Sequence, residues 1–122
     1  DWRERHKLLK VAFPTTVHTR EAIEEIQFGY LKRPTHRSRR YERDMYEHCH
    51  HRYAVLSDGE NGLAVLNNCK YGISAKDSTL ALTLLRAPII PDMEADQGEH
   101  EFTYALYLLE GAFLHSGVVR EA

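Results

Sequence analysis

Long apolar runs are missing from this sequence. None approaches the roughly 20 consecutive residues that a helix needs to cross a bilayer, and no charged-then-apolar leader opens the chain. Cysteine is scarce, with only Cys49 and Cys69, which excludes a disulfide framework and reads as two reduced thiols in a cytoplasmic protein. There is no nucleophile elbow, no glycine-rich phosphate loop and no Cys-x-x-Cys pair. A strong charge of one sign is absent too. A net charge of -2 and a pI near 6.5 give no overall bias towards nucleic acid or membrane.

What remains is a chain of 122 residues, 43% hydrophobic and 28% charged, suited to one globular domain or a piece of one. At this size a folded chain buries roughly two-thirds of its unfolded surface, enough for a single core. The sequence opens on Asp1-Trp2 without methionine and reads as an excerpt of something longer, with any targeting segment upstream left open.

Lys7 to Phe13 is apolar enough for a strand, and Pro14 stops it by removing a ladder donor and fixing φ. Thr19 to Gly29 can open as a helix capped by Thr19, but the alternation of Ala22, Glu24, Ile26 and Phe28 with Ile23, Glu25 and Gln27 favours a strand. Leu31 to Asp44 is basic, contains Pro34 and shows no apolar period, so a loop is expected. Met45 to Leu56 recovers hydrophobicity, and Ser57 to Gly62 is a turn cluster. Gly62 to Asn68 and Thr79 to Arg86 read as strands of one hairpin, joined by the polar link Lys70 to Ser78. Ala87 to His100, with two prolines and an acidic run, reads as an extended surface loop. Glu101 to Leu109 is apolar at both alternating sets of positions, which predicts a strand buried on both faces. Short strands, turn clusters and no long helix together predict an all-β sandwich spanning residues 1–122, whole or in part.

Three clusters stand out chemically. Glu47-His-Cys-His-His51 is rich in metal donors, but strand neighbours point to opposite faces, so only two of these side chains can converge where structural zinc takes four; a hydrogen-bonded histidine pair is the expectation. The basic run from Lys32 to Arg43, interleaved with Tyr30 and Tyr41, has the composition of a nucleic-acid patch, yet without a basic domain it reads as a solvated loop packing on other protein. Asn67, Asn68, Lys70 and Tyr71 form the third cluster, polar groups on rigid backbone between apolar walls. Amide, ammonium and phenol groups suit recognition of sugar hydroxyls, and Tyr71 can stack on a sugar face; the alternative is that the two asparagines close the turn through their own backbone.

Read in order, Glu4-Arg-His-Lys-Leu-Leu-Lys-Val-Ala-Phe-Pro14, Glu25-Ile-Gln-Phe-Gly29, Arg33-Pro-Thr-His36, Leu63-Ala-Val-Leu-Asn-Asn-Cys-Lys-Tyr-Gly72, Leu82-Thr-Leu-Leu-Arg86, Pro91-Asp92 and Ala95-Asp-Gln-Gly-Glu-His-Glu-Phe-Thr-Tyr104 resemble the C-terminal β-region of glycoside hydrolase family 38 α-mannosidases, of the cytosolic and bacterial branch. The resemblance covers nearly the whole chain. It implies a supersandwich-like, galactose-mutarotase-like β-sandwich fragment of a zinc-dependent retaining enzyme that removes terminal α-linked mannose. It also implies that the zinc, its ligands and the acidic catalytic pair belong to an N-terminal β/α barrel outside these residues, leaving the fragment inactive alone and without a metal of its own. The β-region then packs on that barrel, with Asn67, Asn68, Lys70 and Tyr71 facing α-mannosides from one wall of the cleft. His48, Cys49 and His50 depart from the family pattern, where apolar or small residues are usual, and Asn68 stands where Asp is common. Partners beyond substrate and barrel are not implied: no nucleic acid and no membrane, though exposed strand edges favour self-association into a homo-oligomer. The alternative is a freestanding β-sandwich module that binds carbohydrate or protein.

Overall fold

The computed structural model describes residues 1–122. Nine strands form two antiparallel sheets, with only short helical pieces besides. One sheet has the order β1 (Leu9–Pro14), β8 (Thr79–Leu85), β7 (Gly72–Lys76), β4 (His48–Cys49). The other has the order β3 (Gly29–Pro34), β2 (Glu21–Ile26), β5 (Tyr53–Ser57), β6 (Asn61–Asn67), β9 (Tyr104–Glu110). The all-β sandwich expected from the sequence is therefore what the chain forms.

Alternation along the strands builds the core between the sheets. Ala54 and Leu56 of β5 and Val65 of β6 face Ile73 and Ala75 of β7 and Leu80 and Leu82 of β8, all buried. The opposite face of the five-stranded sheet carries Tyr53, Val55, Ala64 and Leu109, which pack on Phe113 and Val118 of the C-terminal segment. That segment consists of a 3-10 turn at Phe113–His115 and the short helix α2 (Val118–Glu121; α1 is Arg40–Asp44). β5 is apolar at consecutive positions because both its faces are covered. The β5–β6 turn is set by Asp58, whose Oδ1 accepts the N–H groups of Glu60 (2.9 Å) and Asn61 (2.8 Å), and by Gly59 at φ +99°. Gly62 has no room for a side chain, since a Cβ there would lie 2.6 Å from the Leu56 carbonyl oxygen.

Three expectations need correction. The basic stretch from Leu31 is not a continuous loop: Gly29 to Pro34 pairs with β2 along its length, and Arg40–Asp44 is the helix α1. β3 shows no apolar period because it is an edge strand with most side chains in solvent, and its charges answer those of β2: Arg33 Nε lies 2.7 Å from Glu24 Oε2 and Lys32 Nζ 3.6 Å from Glu21 Oε2. Secondly, β6 and β8 are not a hairpin. They lie in different sheets, and the polar link between them contains β7, which is the true hairpin partner of β8. Gly72-Ile-Ser-Ala-Lys76 hid this because only Ile73 and Ala75 mark its inner face. Thirdly, β9 is not buried on both sides. Only Leu109 is buried, while Leu106 is 52% and Leu108 80% exposed. By register with Leu63 and Val65, both leucines lie on the inner face of their sheet, but the smaller sheet leaves them uncovered.

Candidate functional site

β6 ends at Asn67 and β7 begins at Gly72, so the segment between them carries the chain from one sheet to the other. Its conformation is held by two buried side chains. The Oδ1 of Asn67 accepts the backbone N–H of Lys70 at 2.6 Å, which fixes the orientation of the amide. The Nδ2 of Asn67 then donates to the carbonyl of His51 and to Nε2 of His50, both at 3.0 Å. With Nε2 accepting, His50 carries its proton on Nδ1 and donates it to the Tyr71 carbonyl at 3.1 Å; its backbone N–H reaches the same oxygen at 2.9 Å. His50 is wholly buried. Burial pushes its pKa below the ordinary imidazole value, outweighing the Tyr71 carbonyl and the charges of Glu24 and Glu25. A neutral imidazole matches the one-donor, one-acceptor role the geometry demands.

Asn67 and His50 thus act as a strap across the segment, and around it lies a rim of side chains. Asn68 and Cys69 are exposed, Tyr71 is 57% exposed with its ring edge-on to His51 at 5.8 Å, and Lys70 lies with Nζ 4.9 Å above the ring of Phe102. Beside Asn68 a cleft of about 460 Å³ is lined by Arg52, Asn67, Asn68, Thr103 and Tyr104 among others. The structure therefore separates the four residues singled out in the sequence. Asn68 and Tyr71, both exposed, and the half-buried Lys70 form the rim, whereas Asn67 turns inward and gives its amide to the strap.

Sequence reasoning missed Phe28. The two-residue turn joining β2 and β3 lies at this same end of the sandwich, since Glu25 accepts the N–H of His51 at 3.1 Å and binds Arg52 by a 2.7 Å ion pair. Burial alone would raise the Glu25 pKa, but the bonds and charge of Arg52 outweigh it and hold the carboxyl below its usual value. At the tip, Phe28 is wholly exposed and adopts φ +66°, a region that costs a non-glycine residue about 1 to 2 kcal/mol. The readable signal was Gln27-Phe28-Gly29 between two alternating runs, a turn with an aromatic where glycine or asparagine is usual.

The histidine cluster does not converge. His48 Nδ1 meets Glu24 Oε1 at 2.8 Å inside the sandwich, His50 serves the strap, His51 faces Tyr71, and Cys49 is exposed. Glu24 is wholly buried between His48 and Arg33. No three His, Cys, Asp or Glu side chains come together as a metal site, so residues 1–122 do not fit a zinc ion.

The likeness to known proteins is specific. Residues 1–94 match the Glycosyl hydrolases family 38 C-terminal domain. The chain is 50% identical over 121 residues to alpha-mannosidase 2C1 of Mus musculus, covering 99% of this chain and 12% of that protein. It is 43% identical over 122 residues to the alpha-mannosidase of Saccharomyces cerevisiae, covering 100% of this chain and 11% of that protein. Among solved structures, an alpha-mannosidase from Enterococcus faecalis V583 superposes with a TM-score of 0.75 at 25% identity, over 85% of this chain and 13% of that one. The chain thus spans about an eighth of the length of the relatives it matches.

Proposed function

Because this chain belongs to the glycosyl hydrolases family 38 C-terminal domain family, we propose that it is the β-region of a longer cytoplasmic α-mannosidase that hydrolyses terminal α-linked mannose. In this reading it supports an N-terminal catalytic barrel of the same chain and supplies one wall of the substrate cleft. The observation that carries the reading is 41–50% identity to alpha-mannosidases across essentially the whole chain. In this reading the zinc of such an enzyme belongs to the barrel; His48, His50 and Cys49, which point apart here, support that division of labour. No catalytic residue is assigned within residues 1–122.

The sugar-facing surface is the rim of Asn68, Lys70 and Tyr71. An ammonium and an amide donate to sugar hydroxyls, and a half-free phenol ring offers an apolar face and a polar tip. Asn67 positions them: its bond to the Lys70 N–H sets the backbone from which Lys70 and Tyr71 project. Phe28 adds a second aromatic at the same end.

In the full-length enzyme, Lys70→Ala should lower kcat/KM on an aryl α-mannoside by roughly 10- to 100-fold, the worth of one hydrogen bond from a charged donor, with the melting temperature unchanged. Residues 1–122 assayed alone should give no hydrolysis. Unaltered kinetics in Lys70→Ala would remove the rim from the site, and turnover by the fragment would overturn the division between wall and barrel.

A further inference from the structure

Four strands end the two sheets, and three of them are guarded. β4 has only two residues, β1 carries Lys10 and ends in Pro14, and β3 carries Lys32, Arg33 and Pro34. Short length, charge and proline are the devices by which strand edges avoid pairing with other chains. β9 has none of them before its last residue, Glu110: six of its seven residues, Tyr104-Ala-Leu-Tyr-Leu-Leu109, carry neither charge nor proline. One side of its backbone ladder is satisfied by β6 along the full register from Asn61↔Glu110 to Asn67↔Tyr104, and the other side faces no strand.

The same strand leaves apolar surface open on the inner face of the sandwich. β1 leaves Tyr104, Leu106 and Leu108 exposed, though the ring of its Phe13 meets Tyr104 edge-on at 5.6 Å. The result is a trough of about 940 Å³ between the sheets, lined by Phe13, Pro14, Val17, Leu63, Leu106 and Leu108 among others. An unpaired ladder and an uncovered apolar shelf on one strand call for the same occupant, a strand with apolar residues at alternate positions on its inward face.

We infer that in the full-length protein the free edge of β9 is covered by a strand from the part of the same polypeptide outside residues 1–122, which continues the five-stranded sheet and closes the trough over Leu106 and Leu108. This rests on the reading of the chain as part of a longer enzyme. The supply of chain supports it, since relatives matched end to end by this sequence are covered to only 11–12% of their length. An edge this long and uncharged, left open in a mature protein, would template aggregation, and the length of chain outside residues 1–122 is what favours a strand of the same polypeptide as its cover.

The test is hydrogen–deuterium exchange on the full-length protein, read on peptides covering Tyr104–Glu110 and compared with peptides covering β3. Protection of β9 as strong as that of β6, independent of protein concentration, is the expected result. Protection that disappears on dilution would assign the edge to a second copy and overturn the inference, as would exchange as fast as that of an open edge. Leu106→Lys with Leu108→Lys in the full-length chain should lower its soluble yield or melting temperature, while Leu31→Lys on β3 should change neither; equal behaviour of the two would also count against it. Assaying the wild-type sample on an aryl α-mannoside separates this inference from the functional reading. Hydrolysis with an unprotected β9 overturns the inference alone, and protection without hydrolysis overturns the mannosidase reading alone.

Discussion

The rim at the β6–β7 crossing and the shelf of β9 are both open surfaces, but they are open in opposite ways. At the rim the backbone is satisfied from within by Asn67 and His50, and what faces outward is polar or amphipathic: Asn68, Lys70 and Tyr71. On the shelf one side of the backbone pairs with no strand, and what lies bare on the inner face of the sheet is Leu106 and Leu108. A surface that already holds its own shape is ready for a ligand that comes and goes. A surface with an unpaired ladder and bare leucines is, on the inference drawn above, half of a permanent contact. The contrast teaches that exposure alone does not mark a binding site; the state of the backbone beneath it tells transient from permanent.

The largest effect that sharpens this contrast separates two adjacent asparagines. Asn67→Ala strands the buried Nε2 of His50, the His51 carbonyl and the Lys70 N–H, and should cost about 2 to 3 kcal/mol of stability. Asn68→Ala, on the exposed side, should change stability by less than about 0.5 kcal/mol. Denaturant titration of both variants checks this, and equal losses would mean that the rim is not held by Asn67.

A smaller effect concerns protons. The pKa of His50 is depressed by burial in the folded state, so near pH 6.5 and below the unfolded chain binds a proton that the folded chain does not. Stability contributed by the neutral imidazole is complete above the unfolded value near 6.5 and is lost as pH falls towards the lower folded value. Unfolding measured between pH 7.5 and pH 5 should show this decline, and His50→Gln should flatten it. A decline unchanged in His50→Gln would place its origin elsewhere.

How far the sequence could be read follows from the same contrast. β6 and β8 were legible because their partners lie within the chain, so burial left an imprint in Leu63 to Val65, and Leu80 and Leu82; in β5 the same imprint, Tyr53 to Leu56, showed only as recovered hydrophobicity. β3 was not, since an edge strand with solvent on its side chains needs no apolar period and is held by its ladder and by Arg33 and Lys32 against Glu24 and Glu21. β7 escaped because two apolar side chains in five residues do not rise above a polar link. β9 was legible as a strand and misread in its burial. Its sequence records apolar surroundings on both faces, and on the inferred account one of these faces is supplied from outside residues 1–122. At the candidate site, residue types pointed to the segment from Asn67 to Tyr71, but they could not say that Asn67 turns inward and Asn68 outward, nor that His50 forms half of the strap.

The most direct test sets Tyr71→Ala against Leu108→Lys in the full-length enzyme, measuring kcat/KM on an aryl α-mannoside and melting temperature in parallel. Tyr71→Ala should lose about tenfold in kcat/KM, the worth of one ring contact, and keep its melting temperature. Leu108→Lys should lose melting temperature and keep kcat/KM per folded molecule. The reverse pattern, with catalysis sensitive to Leu108 and stability to Tyr71, would contradict the assignment of the rim to the sugar and the shelf to the chain.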